Sequence, residues 1–145
     1  MSVQWIRRDL RLDMTLAVGL EAAATLLVRA KSVRQLDAAI IYNLRLWRII
    51  RGVALDRPHL SERTQLLDMA DHVAAMLALD ATPCVDPRDV AFVAGRNLAV
   101  AGHLAESQAF DRARDALVTE WAMTDSRNSF EAWLMERLAQ SASPA

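Results

Sequence analysis

The stretch from Ser32 to Val53 reads SVRQLDAAIIYNLRLWRIIRGV and has the strongest helical pattern in the chain. Ser32 and Gln35 have the spacing of a capping box, in which a hydroxyl and a side-chain amide satisfy free N–H groups at the start of a helix. Four apolar residues then recur at helical spacing, namely Leu36, Ile40, Trp47 and Ile50. Such a stripe is typical of an amphipathic helix packed on a core, and Gly52 is its predicted end.

Asn43 lies on this apolar stripe, and Asn97 interrupts a second stripe later in the chain. An amide buried without partners costs about 1–3 kcal/mol, so each asparagine needs a hydrogen bond. Two interpretations remain open. In the first, which is preferred, the asparagines pair with each other across packed helices and fix the register of those helices. In the second, they line a groove that receives a partner helix.

Composition bounds both the fold and the class of function. A chain of 145 residues suits one domain, and its hydrophobic fraction of 53% supports a packed core. Four glycines and four prolines are too few for the turns of a sandwich or barrel, so a few long helices are expected. The net charge of −1, from 17 basic and 18 acidic residues, argues against a nucleic-acid-binding protein.

Helical patterns cover most of the rest of the chain. Before residue 107 the other predicted helices have the bounds Thr15–Lys31, Ser61–Leu79 and Asp86–Glu106. Ser61 and Asp86 are predicted N-caps, because a short polar side chain can accept a hydrogen bond from the first turn. Residues 1–13 are predicted to form an arm or a helical turn that docks on the core through three apolar side chains, Trp5, Ile6 and Leu10.

Residues 107–140 carry helical stripes of their own. Ser107 either caps a fifth helix or lies inside a longer one, and Asn128 with Glu131 repeats the capping-box spacing. The predicted fold is therefore all-α, a single domain over residues 1–145 with five or six helices around one core. The predicted core residues are Leu36, Ile40, Trp47, Ile50, Leu66, Ala70, Val73, Leu77, Val93 and Leu104.

The sequence holds no recognisable catalytic or metal-binding motif. Its histidines, His59, His72 and His103, lack the spacing of a metal-binding helix, and Cys84 has no motif around it. A glycine-rich phosphate loop and a nucleophile elbow are also missing. We therefore predict a protein that is not an enzyme and needs no cofactor or metal. Neither a signal peptide nor an apolar run of membrane length is seen, so a cytoplasmic location is expected.

Arginines on the central helix allow two interpretations. Arg45, Arg48 and Arg51, together with Tyr42 and Trp47, could form a nucleic-acid-binding stripe. The preferred interpretation is a solvated outer face, because three arginines on one helix of a nearly neutral protein are weak evidence for nucleic acid.

Three segments, in order, resemble the flagellar biosynthesis regulator FlaF family of alphaproteobacteria. LDAAIIYNLRLWRII resembles the family pattern L-x-x-A-L-x-x-N-x-x-L-W through Leu36, Ala39, Ile40, Asn43, Leu46 and Trp47. RTQLLDMADHV is similar to the family's L-x-x-x-L-L-x-L-A helix. GRNLAVAGHLAE resembles the I-N-x-N-I-A-x-G-L ending through Asn97, Leu98, Ala99 and Gly102. The motifs lie within Gly19–Glu106, so residues 14–106 are interpreted as FlaF-like helices and residues 107–140 as additional C-terminal helices.

The resemblance implies a non-enzymatic, cytoplasmic helical protein of bacteria. Members of the family assist flagellin production and export through contact with flagellin or its regulators. The candidate partner-binding residues on the matching segments are Asn43, Arg45, Trp47, Arg48, Arg96 and Asn97. The alternative function is a structural helical homo-oligomer or subunit with no flagellar role.

Residues 107–140 also hold two of the four tryptophans, Trp121 and Trp133. Each large apolar side chain contributes about 1.5–3 kcal/mol when fully buried, so this segment is predicted to cover something. One candidate is the groove lined by Asn43 and Asn97 in its own chain. The other, slightly preferred, is a second copy of the chain in a two-fold dimer.

Overall fold

The chain is almost entirely helical where its structure is described. The computed structural model describes residues 2–57, 63–77, 87–124 and 127–142, with side chains from residue 12 to residue 141 within these ranges. Over these ranges the backbone forms helices and no strand, with the bounds α1 Ser2–Arg29, α2 Val33–Asp56, α3 Arg63–Met76, α4 Pro87–Leu104, α5 Ser107–Met123 and α6 Phe130–Ala142. The predicted all-α class is confirmed, with six helices in the described part.

The contacts divide the chain into two compact units. Unit 1 contains the chain up to Ala22 and again from Leu98 onward, and unit 2 contains Ala23–Asn97. Helices α1 and α4 contribute residues to both units, α2 and α3 belong to unit 2, and α5 and α6 belong to unit 1. The FlaF-like motifs on α2 and α3 therefore lie in unit 2, which also holds the first part of the third motif.

The start of α2 forms as the sequence predicts. The backbone N–H of Gln35 donates to the hydroxyl of Ser32 at 3.1 Å, and the side-chain oxygen of Gln35 accepts from the N–H of Lys31 at 2.8 Å. Further along, the Asn43 amide reaches the carbonyl of Ala23 on α1 at 3.1 Å. A straight rod would separate these residues by about 30 Å, at about 1.5 Å per residue. Helices α1 and α2 therefore fold back on each other.

The end of α2 differs from the prediction. Gly52 lies inside the helix, which runs on to Asp56, and the N–H of Arg57 closes the last turn on the carbonyl of Ala54 at 3.4 Å. Val53 and Ala54 are buried and continue the apolar face of Ile50 at helical spacing. Burial of these side chains outweighs the cost of about 1 kcal/mol for a glycine inside a helix. The predicted helix end at Gly52 is therefore wrong.

Three other predicted boundaries also shift. The arm predicted over residues 1–13 is the first part of α1, and the docking of Trp5, Ile6 and Leu10 lies outside the described side chains. Ser107 is the first residue of α5 and not its cap, because Glu106 is the flanking residue. At the start of α6 the hydroxyl of Ser129 accepts from the N–H of Ala132 at 3.2 Å, so the cap is Ser129 and not Asn128. The predicted caps Ser61 and Asp86 lie outside the described residues.

The predicted core is largely correct. Among its members in unit 2, the large side chains of Ile40, Trp47, Ile50, Val73, Leu77 and Val93 are at most 2% exposed. Leu36 and Leu104 are only half-buried, because each lies at the edge of its stripe near a helix end. Unit 1 has apolar side chains buried on each of its helices, Leu16 and Leu20 on α1, Ala101 on α4, Leu117 on α5, and Leu134 and Leu138 on α6.

Candidate protein-binding site

Three of the six candidate residues form a buried hydrogen-bond relay in unit 2. The indole N–H of Trp47 donates to Oδ1 of Asn97 at 2.9 Å. Nδ2 of Asn97 donates in turn to Oδ1 of Asn43 at 2.6 Å. Nδ2 of Asn43 completes the relay with two backbone carbonyls, of Ala23 at 3.1 Å and of Ala39 at 2.8 Å. The relay therefore joins α1, α2 and α4 through side chains that the sequence places far apart.

The relay shows which of the two interpretations of Asn43 and Asn97 is correct. Asn43 and Asn97 are both fully buried, and Trp47 is 2% exposed. Among the described residues, every buried side-chain nitrogen and oxygen has a hydrogen-bond partner. The asparagines thus pair with each other, as the first interpretation predicts, and they line no groove. In this structure Asn43, Trp47 and Asn97 contact one another and offer no surface to a partner.

The opposite side of α2 faces solvent. Seven of its exposed positions are separated alternately by four and three residues, which places them in one line along the helix. They are Arg34, Ala38, Ile41, Arg45, Arg48, Gly52 and Leu55. We call this line the outer stripe. Ile41 and Leu55 are 51% and 44% exposed and give this line its large apolar side chains. The outer stripe is therefore a mixed apolar and basic surface.

The charges on α2 are unevenly distributed. Arg51, beside the outer stripe, forms an exposed ion pair with Asp71 of α3 at 3.1 Å. Within the described part of the chain, Arg45 and Arg48 form no ion pair. The carboxylates of α2 are Asp37 and Asp56, towards its two ends. The middle of the outer stripe thus carries positive charge that no described side chain neutralises in an ion pair.

Arg96 lies on a different surface feature of unit 2. Its guanidinium carbon is 5.2 Å from the centre of the Phe92 ring on α4. The same ring meets the edge of His72 on α3, with 5.6 Å between ring centres. Such cation–π and edge-to-face contacts contribute about 0.5–1.5 kcal/mol each at exposed sites. The cation–π contact of Arg96 lies within α4, whereas the contact between Phe92 and His72 joins α4 to α3. A role of Arg96 in partner binding stays a prediction.

The structure weakens the case for a nucleic-acid stripe on α2. Trp47 points into the core and Arg51 is paired with Asp71, so two of the five residues of that pattern are occupied. Tyr42 is half-buried. An aromatic platform for bases is therefore not interleaved with Arg45 and Arg48 on the exposed face.

Unit 1 contains an open cleft of about 320 Å³ near the junction of α4 and α5. Its lining is mainly apolar and includes Leu98, Ala101 and Phe110, with Glu21 as the charged member. The Glu21 carboxylate is already bound by Arg114 at 3.2 Å. The cleft therefore presents no unpaired charged group that would select a ligand.

The sequence pattern predicted the pairing of Asn43 and Asn97 but missed the hydrogen bond from Trp47, and it missed Ile41 and Leu55 as surface residues. A signal for them was present, since both fall on the same three-and-four spacing as Arg34, Arg45 and Arg48. That spacing is offset from the core stripe, so a helix with two apolar lines was readable from the sequence. The core stripe of α2 is richer in large apolar residues than the outer stripe, so it dominates the helical pattern.

Neither a membrane-spanning helix nor a metal-binding cluster is found within the described ranges. None of their helices combines the length and the apolar content needed to cross a lipid bilayer. No group of three or more histidine, cysteine, aspartate or glutamate side chains in these ranges is arranged to hold a metal ion.

Comparison with known proteins gives no relative for this chain. No family model, no curated protein and no solved structure matches it.

Proposed function

We propose that this chain is a non-enzymatic helical factor that binds a protein partner in flagellin synthesis or export, in the bacterial cytoplasm. The proposal comes from the resemblance of three segments to the FlaF family. It is supported by where the motif residues lie. Asn43 and Trp47 of the first motif and Asn97 of the third motif meet in one hydrogen-bond relay. Their joint presence in the sequence therefore has a structural reason.

The second motif fits the same arrangement. Its apolar positions Leu66, Ala70 and Val73 are buried on α3, and α3 packs on α2. The buried motif residues of α2 and α3, together with Asn97, thus supply much of the interior of unit 2. Leu98, Ala99 and Gly102 of the third motif are exposed. On α2 and α3, a partner would therefore contact the outer surface of the helices.

The single observation that favours partner binding is the outer stripe of α2. A helix that buries Ile40, Trp47 and Ile50 has no need of large apolar residues on its other side, yet Ile41 and Leu55 are exposed there. Arginine is enriched at the centre of protein interfaces, and Ile41 and Leu55 add apolar area to the line that carries Arg45 and Arg48. The α2 outer stripe is therefore the proposed contact surface.

The test is a binding titration with purified flagellin encoded in the same genome. We expect binding by the native chain and a loss of about tenfold or more for Ile41→Glu, which places a carboxylate at the centre of the stripe. Val28→Glu is the control, because Val28 is an exposed apolar residue of unit 2, at 72%, but lies on α1 and outside the three motifs. No binding of flagellin by the native chain would remove the flagellar proposal.

A structural homo-oligomer is the second candidate function. It is favoured by the surface of the C-terminal helices, where Met123 is 82% exposed and Val118 is 37% exposed. Trp121, Phe130 and Trp133 form a cluster next to them in the chain and stay half-buried. The expected result of light scattering is a dimer that Met123→Glu with Val118→Glu converts to a monomer. A monomeric native chain would remove this candidate.

A further inference from the structure

We propose that the α2 outer stripe binds an acidic amphipathic helix of another protein. The inference deepens the proposed function, because it rests on the stripe as a contact surface and specifies the chemistry of the partner. It is argued from the spacing, the side-chain sizes and the charges of the stripe.

The spacing of the stripe suits a helix as the occupant. Its seven positions alternate in steps of four and three over six turns of α2, which is the seam along which two helices pack. Ile41 and Leu55 supply the apolar contacts of that seam. Ala38 and Gly52 are small, and a side chain built at Gly52 would meet nothing within 4 Å. The stripe thus combines apolar contacts with places where a second backbone can approach closely.

The charge of the stripe specifies an acidic partner. Arg34, Arg45 and Arg48 lie on it, and it contains no carboxylate. Arg45 and Arg48 sit one turn apart between the two apolar positions, without an ion pair in the described part of the chain. A helix with glutamate or aspartate beside its apolar seam would satisfy both guanidinium groups in one docking geometry.

The same charges disfavour two other occupants. A second copy of this chain would place arginine against arginine, since the stripe offers no acidic side chain in return, and like charges opposed across an interface are destabilising. Nucleic acid would match the arginines but not Ile41 and Leu55, and the aromatic side chains of α2 are buried at Trp47 and half-buried at Tyr42. An acidic amphipathic helix matches the apolar and the basic positions together.

The experiment uses the full chain and two designed helical peptides. Both peptides carry leucine at alternating steps of three and four, and one carries glutamate at the flanking positions where the other carries lysine. Binding is measured by fluorescence anisotropy with the native chain, with Arg45→Glu/Arg48→Glu, and with the control Arg112→Glu/Arg127→Glu. The control changes the net charge equally and lies on α5 and the turn after it, outside unit 2. Circular dichroism establishes that each variant is folded.

We expect the acidic peptide to bind the native chain and the control at least about tenfold more tightly than the basic peptide. The Arg45→Glu/Arg48→Glu variant should lose this preference or reverse it, and added salt should weaken the acidic complex. The proposal is overturned if neither peptide binds, or if Arg45→Glu/Arg48→Glu leaves the affinity for the acidic peptide unchanged. It is also overturned if a single-stranded oligonucleotide binds the stripe more tightly than the acidic peptide does. Dimerisation of the native chain that Ile41→Glu abolishes would also overturn it, in favour of a second copy.

Flagellin as a third probe separates this inference from the proposed function. Binding of flagellin that is unchanged by Arg45→Glu/Arg48→Glu would keep the flagellar role and overturn the acidic-helix inference. Preference for the acidic peptide without any binding of flagellin would keep the inference and overturn the flagellar role.

Discussion

The buried relay of Trp47, Asn97 and Asn43 predicts a defined pattern of stability losses. Asn97→Ala removes the acceptor of the Trp47 indole N–H and the donor to Oδ1 of Asn43, so two buried polar groups lose their partners. Each orphaned group costs about 1–3 kcal/mol, which gives a loss of about 2–6 kcal/mol. Trp47→Phe orphans only Oδ1 of Asn97, so the polar part of its cost is about 1–3 kcal/mol.

A double-mutant cycle isolates the hydrogen bond from the packing. When Trp47 is already phenylalanine, Asn97→Ala no longer orphans an indole N–H, so its cost should fall by about 1–3 kcal/mol. The assay is urea unfolding followed by far-UV circular dichroism, with Gln108→Ala on the exposed face of α5 as the control. The control should lie within about 0.5 kcal/mol of the native chain. A cost of Asn97→Ala below about 1 kcal/mol, with no coupling to Trp47, would refute the reasoning.

Three further predictions concern local features. Gly52→Ala should raise the free energy of unfolding by about 0.5–1 kcal/mol, because the added methyl group meets open space and alanine is the better helix former, and a loss of stability would contradict this. Ser32→Ala should lower the free energy of unfolding by about 1 kcal/mol, because the N–H of Gln35 loses its hydrogen bond to the Ser32 hydroxyl. An unchanged free energy of unfolding would show that this cap contributes no stability. Arg51→Ala should cost less than about 1 kcal/mol and less still in high salt, since Arg51 and Asp71 are 48% and 66% exposed; a larger, salt-independent loss would point to a different contact. Denaturant unfolding measures all three.

The sequence by itself determined the fold class and much of the core. The alternation of apolar residues at steps of three and four on the segments that become α2, α3 and α4 is a local property, because one helix geometry fixes which residues share a face. Ser32 likewise caps α2 through a contact only three residues away. The need of Asn43 and Asn97 for partners also followed from their places on apolar stripes.

Helix ends were less predictable, because they depend on what the last turn can bury. Gly52 is a helix-breaking residue by local preference, yet α2 passes through it to bury Val53 and Ala54. The cap of α6 moved by one residue to Ser129. Such choices involve about 1 kcal/mol, and a few buried apolar atoms are enough to reverse them.

Only the tertiary structure decided which polar groups meet and which surface remains free. Asn43 and Asn97 are 54 residues apart, and their contact depends on the packing of α1, α2 and α4, which no local pattern specifies. The same packing turns Ile41, Arg45 and Arg48 to solvent and Trp47 to the interior, although all four lie within two turns of one helix. A helix has two sides, and the sequence could name the residues on each, but its neighbours determine which side is left for a partner.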